Sequence, residues 1–167
     1  MDIENELLAN KVVLEVGSGS GDTTRKLVDL LSGKPGAQLI VTDRSDTFFH
    51  ELQEEFQARD LQFRFIRSDA HHFQENSNNS VDYFVCNYTP CAINSQEGLA
   101  TLALRRFWEI LKTGGRLFVE EEFPINVQNA PAQEVWTEKW RILKSAKILA
   151  RKLPSIPSPI SLKKQAL

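Results

Sequence analysis

Residues Val12 to Gly21, reading V-V-L-E-V-G-S-G-S-G, run a buried strand straight into three alternating glycines. Val12, Val13, Leu14 and Val16 form a short apolar run interrupted only by Glu15, the pattern of a central parallel strand covered on both faces. Such a strand requires helices above and below it. Asp22 and Thr23 then offer oxygens to the free N–H groups of a helix start, and Leu27, Leu30 and Leu31 give that helix an apolar stripe. Gly17, Gly19 and Gly21 permit positive φ and leave no Cβ in the way, so a nucleotide-containing cofactor can approach the main chain. One glycine would mean a tight turn; three in alternation after an apolar strand favour a ligand.

The spacing narrows the ligand. A dinucleotide site calls for G-x-G-x-x-G and a helix N-terminus left free for a pyrophosphate. Here Asp22 stands where that pattern needs its third glycine, and a carboxylate repels a pyrophosphate at close range. Glu15 to Gly21, E-x-G-x-G-x-G, resembles instead the first motif of the class I S-adenosylmethionine-dependent methyltransferases. The resemblance implies that Glu15, Gly17, Ser18, Gly19 and Gly21 border that cofactor.

Later segments extend the resemblance. Gln38 to Thr42 reads as a second strand ending on Asp43, where the family holds the ribose hydroxyls, with Arg44 beside it. Asp43 is alternatively a cap for the helix carrying Phe48, Phe49, Leu52 and Phe56, but Ser45 or Asp46 can serve there. Gln62 to Arg67 reads as a strand with Phe63 and Phe65 on one face, ending at Ser68-Asp69-Ala70. By the same resemblance, Asp69 accepts from the adenine amino group and the Ala70 N–H reaches a ring nitrogen. Val81 to Asn87 reads as a buried strand whose end lies beside the methionine part of the cofactor, so Asn87-Tyr88-Thr89-Pro90 should border the acceptor pocket. Phe107 to Thr113 then runs into Gly114-Gly115 and a fifth strand, Arg116 to Glu120, similar to the family's L-K-P-G-G turn.

This order of strands and helices implies an α/β fold: a three-layer α/β/α sandwich with a mostly parallel, Rossmann-like sheet and a ligand crevice beyond the carboxyl ends of the strands. Residues 1–153 are expected to form the S-adenosylmethionine-binding methyltransferase domain and the proline-punctuated residues 154–167 a poorly ordered tail. The family's seven-stranded sheet continues past the fifth strand, whereas here its C-terminal strands should be short or missing, with at most Pro159 to Leu162 making a short edge strand. Trp136, Trp140, Leu143 and Leu153 read as an amphipathic helix. An uncovered fifth strand would be a sheet edge, and a homodimer through that edge is one expected consequence.

At 167 residues and 41% hydrophobic content the chain supports one core, and no apolar run approaches the roughly 18 residues a membrane span needs. The acidic start (Asp2, Glu4, Glu6) is unlike a secretory signal, and with only Cys86 and Cys91 as cysteines the expected setting is cytoplasmic. From Ala132 onward, eight Lys or Arg face Glu134 and Glu138, a surplus of six that leaves the main body at −8 within a net −2. That stretch reads as a solvated helix face, and the acidic body makes nucleic acid an unlikely partner.

A sulfonium methyl is already activated, so direct in-line transfer asks the protein mainly for position and dryness. A general base is needed only if the acceptor must lose a proton, for which Tyr88, His71, His72 and the carboxylates Glu120 to Glu122 are the candidates, Glu121 and Glu122 being favoured by a place just past the fifth strand. No metal is expected. Asn87-Tyr88-Thr89-Pro90 keeps the asparagine of the nucleic-acid amino-methylating N-P-P-Y motif but not its paired prolines and final aromatic, which points to a small-molecule acceptor. The alternatives are a catalytically silent S-adenosylmethionine-binding subunit or truncated form and, against Asp22, an NAD-dependent oxidoreductase.

Overall fold

Alternating residues of each strand point to opposite sides of a sheet, so apolar runs such as Val12 to Val16 and Val81 to Cys86 need two cores rather than one. The computed structural model, which describes residues 2–74, 78–87, 89, 99–120 and 147–151, has that arrangement. A 3-10 turn (Asp2–Asn5) precedes β1 (Val12–Val16), α1 (Asp22–Leu31), β2 (Gln38–Asp43), α2 (Phe49–Phe56), β3 (Gln62–Arg67), a second 3-10 turn (Ala70–His72), β4 (Val81–Asn87), α3 (Leu99–Ile110), β5 (Leu111–Glu120) and β6 (Lys147–Arg151). The strands form one sheet in the order β3-β2-β1-β4-β5-β6. Its first five members are parallel and β6 is antiparallel to β5. The chain leaves β1 toward β2 and β3, then returns to place β4 on the other side of β1, so the topological switch point lies between β1 and β4.

On one face, Val13, Leu39, Val41, Tyr83, Val85 and Phe118 pack with Leu27, Val28 and Leu31 of α1, Leu52 and Phe56 of α2, and Ile3. On the other, Leu14, Val16, Ile40, Phe84, Cys86, Leu117 and Val119 meet Phe73 and the α3 residues Ala103, Leu104, Phe107 and Ile110. The rings of Phe84 and Phe107 stack with centroids 4.2 Å apart. Phe63 and Phe65 share a face, as expected, and meet Phe56 and Phe49 of α2. The three-layer, mostly parallel architecture expected from the sequence is the one found.

The C-terminal end differs from expectation. Lys147–Arg151 pairs antiparallel with β5 from Glu120↔Lys147 to Arg116↔Arg151. Its Lys-Ile-Leu-Ala-Arg carries no helix-breaking residue, so the sequence reading ran it into the preceding helix pattern; β-sheet pairing overrides that local propensity. Because β6 covers β5, the fifth strand is not an edge, and the homodimer through it loses its basis. The sheet has six strands among the described residues, against the family's seven. The rest of the expected helix around Trp136 and Trp140, and the tail 154–167, lie outside the described residues.

β5 also begins earlier than Arg116. Val81 pairs with Leu111 and Tyr83 with Arg116, so a step of two residues along β4 is matched by five along β5. Gly114 (φ +83°) turns this bulge, and a Cβ on Gly115 would stand 2.8 Å from the Asp82 carbonyl oxygen. The glycine pair therefore lies inside the strand, not before it.

Asp82 holds the opposite end of the sheet from the switch-point crevice. Its buried carboxylate accepts from Lys112 Nζ at 2.7 Å, the Val12 N–H at 3.1 Å and Lys11 Nζ at 3.2 Å, joining β1, β4 and β5. Burial pushes its pKa up, but the hydrogen bonds from Lys112, Val12 and Lys11 outweigh that and hold it below the usual carboxylate value. A depressed folded pKa contributes stability above the unfolded pKa, which is lost as pH falls through the folded value. Asp82→Asn should therefore lower unfolding free energy by about 2 kcal/mol near pH 7 in urea melts, with the gap to wild type closing in acid.

Candidate cofactor-binding site

The ladder between β1 and β2 does not stop at Val16↔Thr42. The Thr42 carbonyl accepts from the Gly17 N–H at 2.8 Å and the Ser18 N–H at 3.2 Å, which carries the pairing into the glycine loop. The Gly21 N–H then bonds the Ser18 carbonyl at 2.9 Å and closes a turn into α1. Gly17, Gly19 and Gly21 all take positive φ (+78°, +51° and +92°). Their surroundings differ. A Cβ at Gly17 would overlap the Thr89 hydroxyl, one at Gly21 would overlap Leu52 of α2, and one at Gly19 meets nothing within 4 Å. Only Gly19 therefore leaves its backbone open to a ligand, whereas the other two admit neighbouring protein.

Asp43 ends β2 directly beside that opening. Its Oδ2 accepts the Gly19 N–H at 2.9 Å and its Oδ1 the Ser45 N–H at 2.9 Å. Each carboxylate oxygen can accept a second donor, so a vicinal diol can still be received. The structure places no side-chain cap on either helix start: Gly21 is the N-cap of α1 and Phe48 that of α2. Asp22 and Thr23 do not cap as expected. Thr23 instead accepts from Asn87 Nδ2 at 2.9 Å, which ties the end of β4 to the first turn of α1.

Glu15 faces the α1 side of the sheet and is 1% exposed. Thr24 Oγ1 donates to its Oε2 at 2.8 Å, while Oε1 is buried with no partner. Burial, only partly offset by the Thr24 bond and reinforced by the charge of Asp43, raises its pKa to about 7. Ser18 Oγ is likewise buried and unpartnered. Such atoms call for a polar ligand or water, and these two lie on β1 and on the loop residue next to Gly19.

The remaining expected residues fall as follows. The Ser68 N–H bonds the Asp43 carbonyl at 2.8 Å, so the end of β3 lies against the end of β2. Asp69 is exposed and precedes the 3-10 turn that begins at Ala70. Arg44 is exposed, its carbonyl accepting Arg67 Nε at 3.2 Å. His71 lies edge-on to His72, with ring centroids 4.2 Å apart. It lines a cavity of about 370 Å³ with Phe73, Gln74 and Arg106. Phe73 and Arg106 place that cavity on the α3 side. Tyr88 and Glu121, with Pro90 and Glu122, lie outside the described residues. The sequence reading missed Thr24 and the specific contact of Thr89; a hydroxyl nine residues beyond a buried glutamate, on the facing helix turn, was the available signal for the first. Among the described residues no group of three or more His, Cys, Asp or Glu is placed to hold a metal ion.

A switch-point crevice with an open glycine, a strand-end carboxylate beside it and two unsatisfied buried oxygens defines a nucleotide-cofactor α/β domain. The chain belongs to the methyltransferase-domain family, whose sequence model matches residues 13–115, and its cofactor is accordingly S-adenosylmethionine. It is 31% identical over 116 residues to squalestatin tetraketide synthase of Phoma sp. (strain C2932), a match covering 65% of this chain and 4% of that protein. Among solved structures it resembles the citrinin polyketide synthase CMeT domain, with TM-score 0.56, 21% identity, and 69% of this chain and 30% of that one covered. It also resembles a candidate S-adenosylmethionine-dependent methyltransferase from Methanococcus maripaludis, with TM-score 0.66, 15% identity, and 93% and 84% covered. The chain thus spans only a small part of the two polyketide synthase relatives.

The raised pKa of Glu15 has a thermodynamic consequence. A carboxyl whose folded pKa exceeds its unfolded one favours the fold fully below the unfolded value, near 4.5, and loses that contribution as pH rises to about 7. Glu15→Gln, which cannot ionise, should therefore be the more stable protein at pH 8, with an advantage over wild type about 3 kcal/mol larger there than at pH 4.5. Urea melts of both proteins across that range test this, and parallel profiles would contradict it.

Proposed function

We propose that this domain transfers the sulfonium methyl of S-adenosylmethionine to a small-molecule acceptor by direct in-line displacement. The observation that carries the reading is the bond from the Gly19 N–H to Asp43, which brings a carboxylate able to receive a diol to the one glycine of the three-glycine loop with space where its Cβ would be. In this reading Asp43, with Arg44 beside it, receives the ribose, and Asp69 and Ala70 receive the adenine. Glu15, Ser18, Gly19 and Asn87 border the methionine part, and Gly17 and Gly21, expected there from the sequence, shape the loop by admitting Thr89 and Leu52. Glu15 Oε1 and Ser18 Oγ, both lacking partners, supply acceptors there. The domain comprises residues 1–153, with 154–167 as its tail.

The bound cofactor supplies an electrophilic methyl, so the protein's task is to orient it and exclude water. No helix among the described residues is long and apolar enough to cross a membrane. We assign the domain to the cytoplasm and its acceptor to small molecules rather than nucleic acid. The likeness to two polyketide synthases supports a ketoacyl chain as the first acceptor class to try. Carbon methylation of such a chain begins with removal of a proton between two carbonyls, and Tyr88, Glu121 and His71 are the bases to test. Of these, His71 sits within the 3-10 turn Ala70–His72 on the adenine side, which favours the other two.

Titration calorimetry should show wild type binding S-adenosylhomocysteine and not NAD. Asp43→Ala should weaken that binding at least tenfold, the loss expected for a charge-assisted hydrogen bond of about 1.5–3 kcal/mol. Binding of NAD alone would overturn the reading. Cofactor binding without product from any ketoacyl thioester or other small acceptor would instead favour a catalytically silent subunit.

A further inference from the structure

We infer that Thr89 is a positioning residue that locks the end of β4 onto the glycine loop and so sets the distance between the cofactor and the acceptor side of the crevice. This rests on the reading of the loop as the cofactor site. Two independent contacts cross the switch point from just after the buried part of β4. Asn87 Nδ2 reaches Thr23 on α1, and Thr89 Oγ1 donates to the carbonyl of Val16, the last residue of β1, at 2.9 Å. The Thr89 side chain also fills the volume a Cβ would take at Gly17.

These facts change what Gly17 is for. Its main chain is already held on one side by the Thr42 carbonyl and is covered on the other by Thr89, so it is not a ligand-facing glycine of the kind Gly19 is. A glycine there is required because a threonine hydroxyl passes over it. That hydroxyl donates to Val16, with the Asn87 carbonyl a more distant acceptor at 3.4 Å, and retains lone pairs for an incoming donor. The strand end before Thr89 leads from the buried core of β4, and the sequence around it, Asn87 to Pro90, is the segment expected to border the acceptor. Fixing Thr89 on β1, as Asn87 is fixed on α1, therefore holds these two residues of that border against the cofactor loop. Near-attack geometry depends on separations of this kind, where an error of about 1 Å costs on the order of a hundredfold in rate.

Two measurements test this on the intact chain. The first is a thermal-melt cycle of Gly17→Ala, Thr89→Ala and the double variant. Backbone strain at φ +78° is common to both Gly17→Ala proteins, so a smaller loss of Tm from Gly17→Ala in the Thr89→Ala background supports the packing, and equal losses overturn it. The second is S-adenosylhomocysteine affinity. Thr89→Val keeps the shape but removes the donor, and should weaken binding roughly tenfold, the equivalent of one lost hydrogen bond. Thr89→Ser should restore binding to within about twofold of wild type, as a residue needed only for bulk would not. Thr89→Val binding as wild type overturns the positioning role. If wild type itself binds no S-adenosylhomocysteine, the cofactor reading falls, while the melting cycle still decides the contact.

Discussion

One buried residue, Thr42, ties the cofactor loop to the sheet. Its carbonyl takes the N–H groups of both Gly17 and Ser18, and its hydroxyl donates back to the Glu15 carbonyl at 3.0 Å. The loop is thus an extension of the β1–β2 ladder rather than a free connection, and the next residue, Asp43, is delivered to Gly19. A slip of two residues in that register would preserve the faces of both strands but set Ile40 opposite Val16. There would then be no hydroxyl for Glu15, and Val41 would stand in the place of Asp43. The other strand ends are collected by the same means: the Asp43 carbonyl takes Ser68 after β3, and the Val16 carbonyl takes Thr89 after β4. Main-chain oxygens at the ends of β1 and β2 therefore gather all the segments expected around the ligand.

Much of this was legible before the structure, because parallel strands buried on both faces leave continuous apolar runs. Val12 to Val16, Gln38 to Asp43 and Val81 to Asn87 stand out for that reason, while the edge strand Gln62 to Arg67 shows an alternation instead, with Phe63 and Phe65 on one face. Sequence is weaker where a contact between distant segments decides the outcome. Lys147–Arg151 is a strand only because β5 offers it a partner, and nothing in Lys-Ile-Leu-Ala-Arg says so. Asp22 and Thr23 have the composition of a cap, yet Gly21 in a left-handed conformation starts α1 and Thr23 is taken by Asn87. Glu15 reads as an interruption of an apolar run. Its meaning comes from Thr24, one helix start away, and from Asp43 on the next strand.

Glu15 and Asp43 also show the site working against the stability of the fold. Two carboxylates converge on one loop, one of them almost fully buried, and the protein meets that by letting Glu15 hold a proton near neutrality. S-adenosylmethionine carries a sulfonium and an ammonium, and positive charge beside these groups would favour the ionised form. Cofactor binding and proton release from Glu15 would then be linked, since each favours the same charge state.

The three glycines separate what the fold needs from what the ligand needs. Gly21 has Leu52 of α2 against it and Gly17 has Thr89, so both are demanded by packing whether or not a cofactor is ever bound. A Cβ at Gly19 would meet nothing within 4 Å among the described residues, and the Asp43 carboxylate accepts its N–H. A chain that had lost all binding could keep Gly17 and Gly21 for the sake of its core, so those two positions are poor witnesses to function. Gly19 and Asp43 are better ones. No packing partner requires a missing Cβ at Gly19, although its φ of +51° still favours glycine, and Asp43 spends a carboxylate on holding an exposed backbone N–H in place. That combination is costly to keep for structure alone, and it is intact here at the mouth of the switch point.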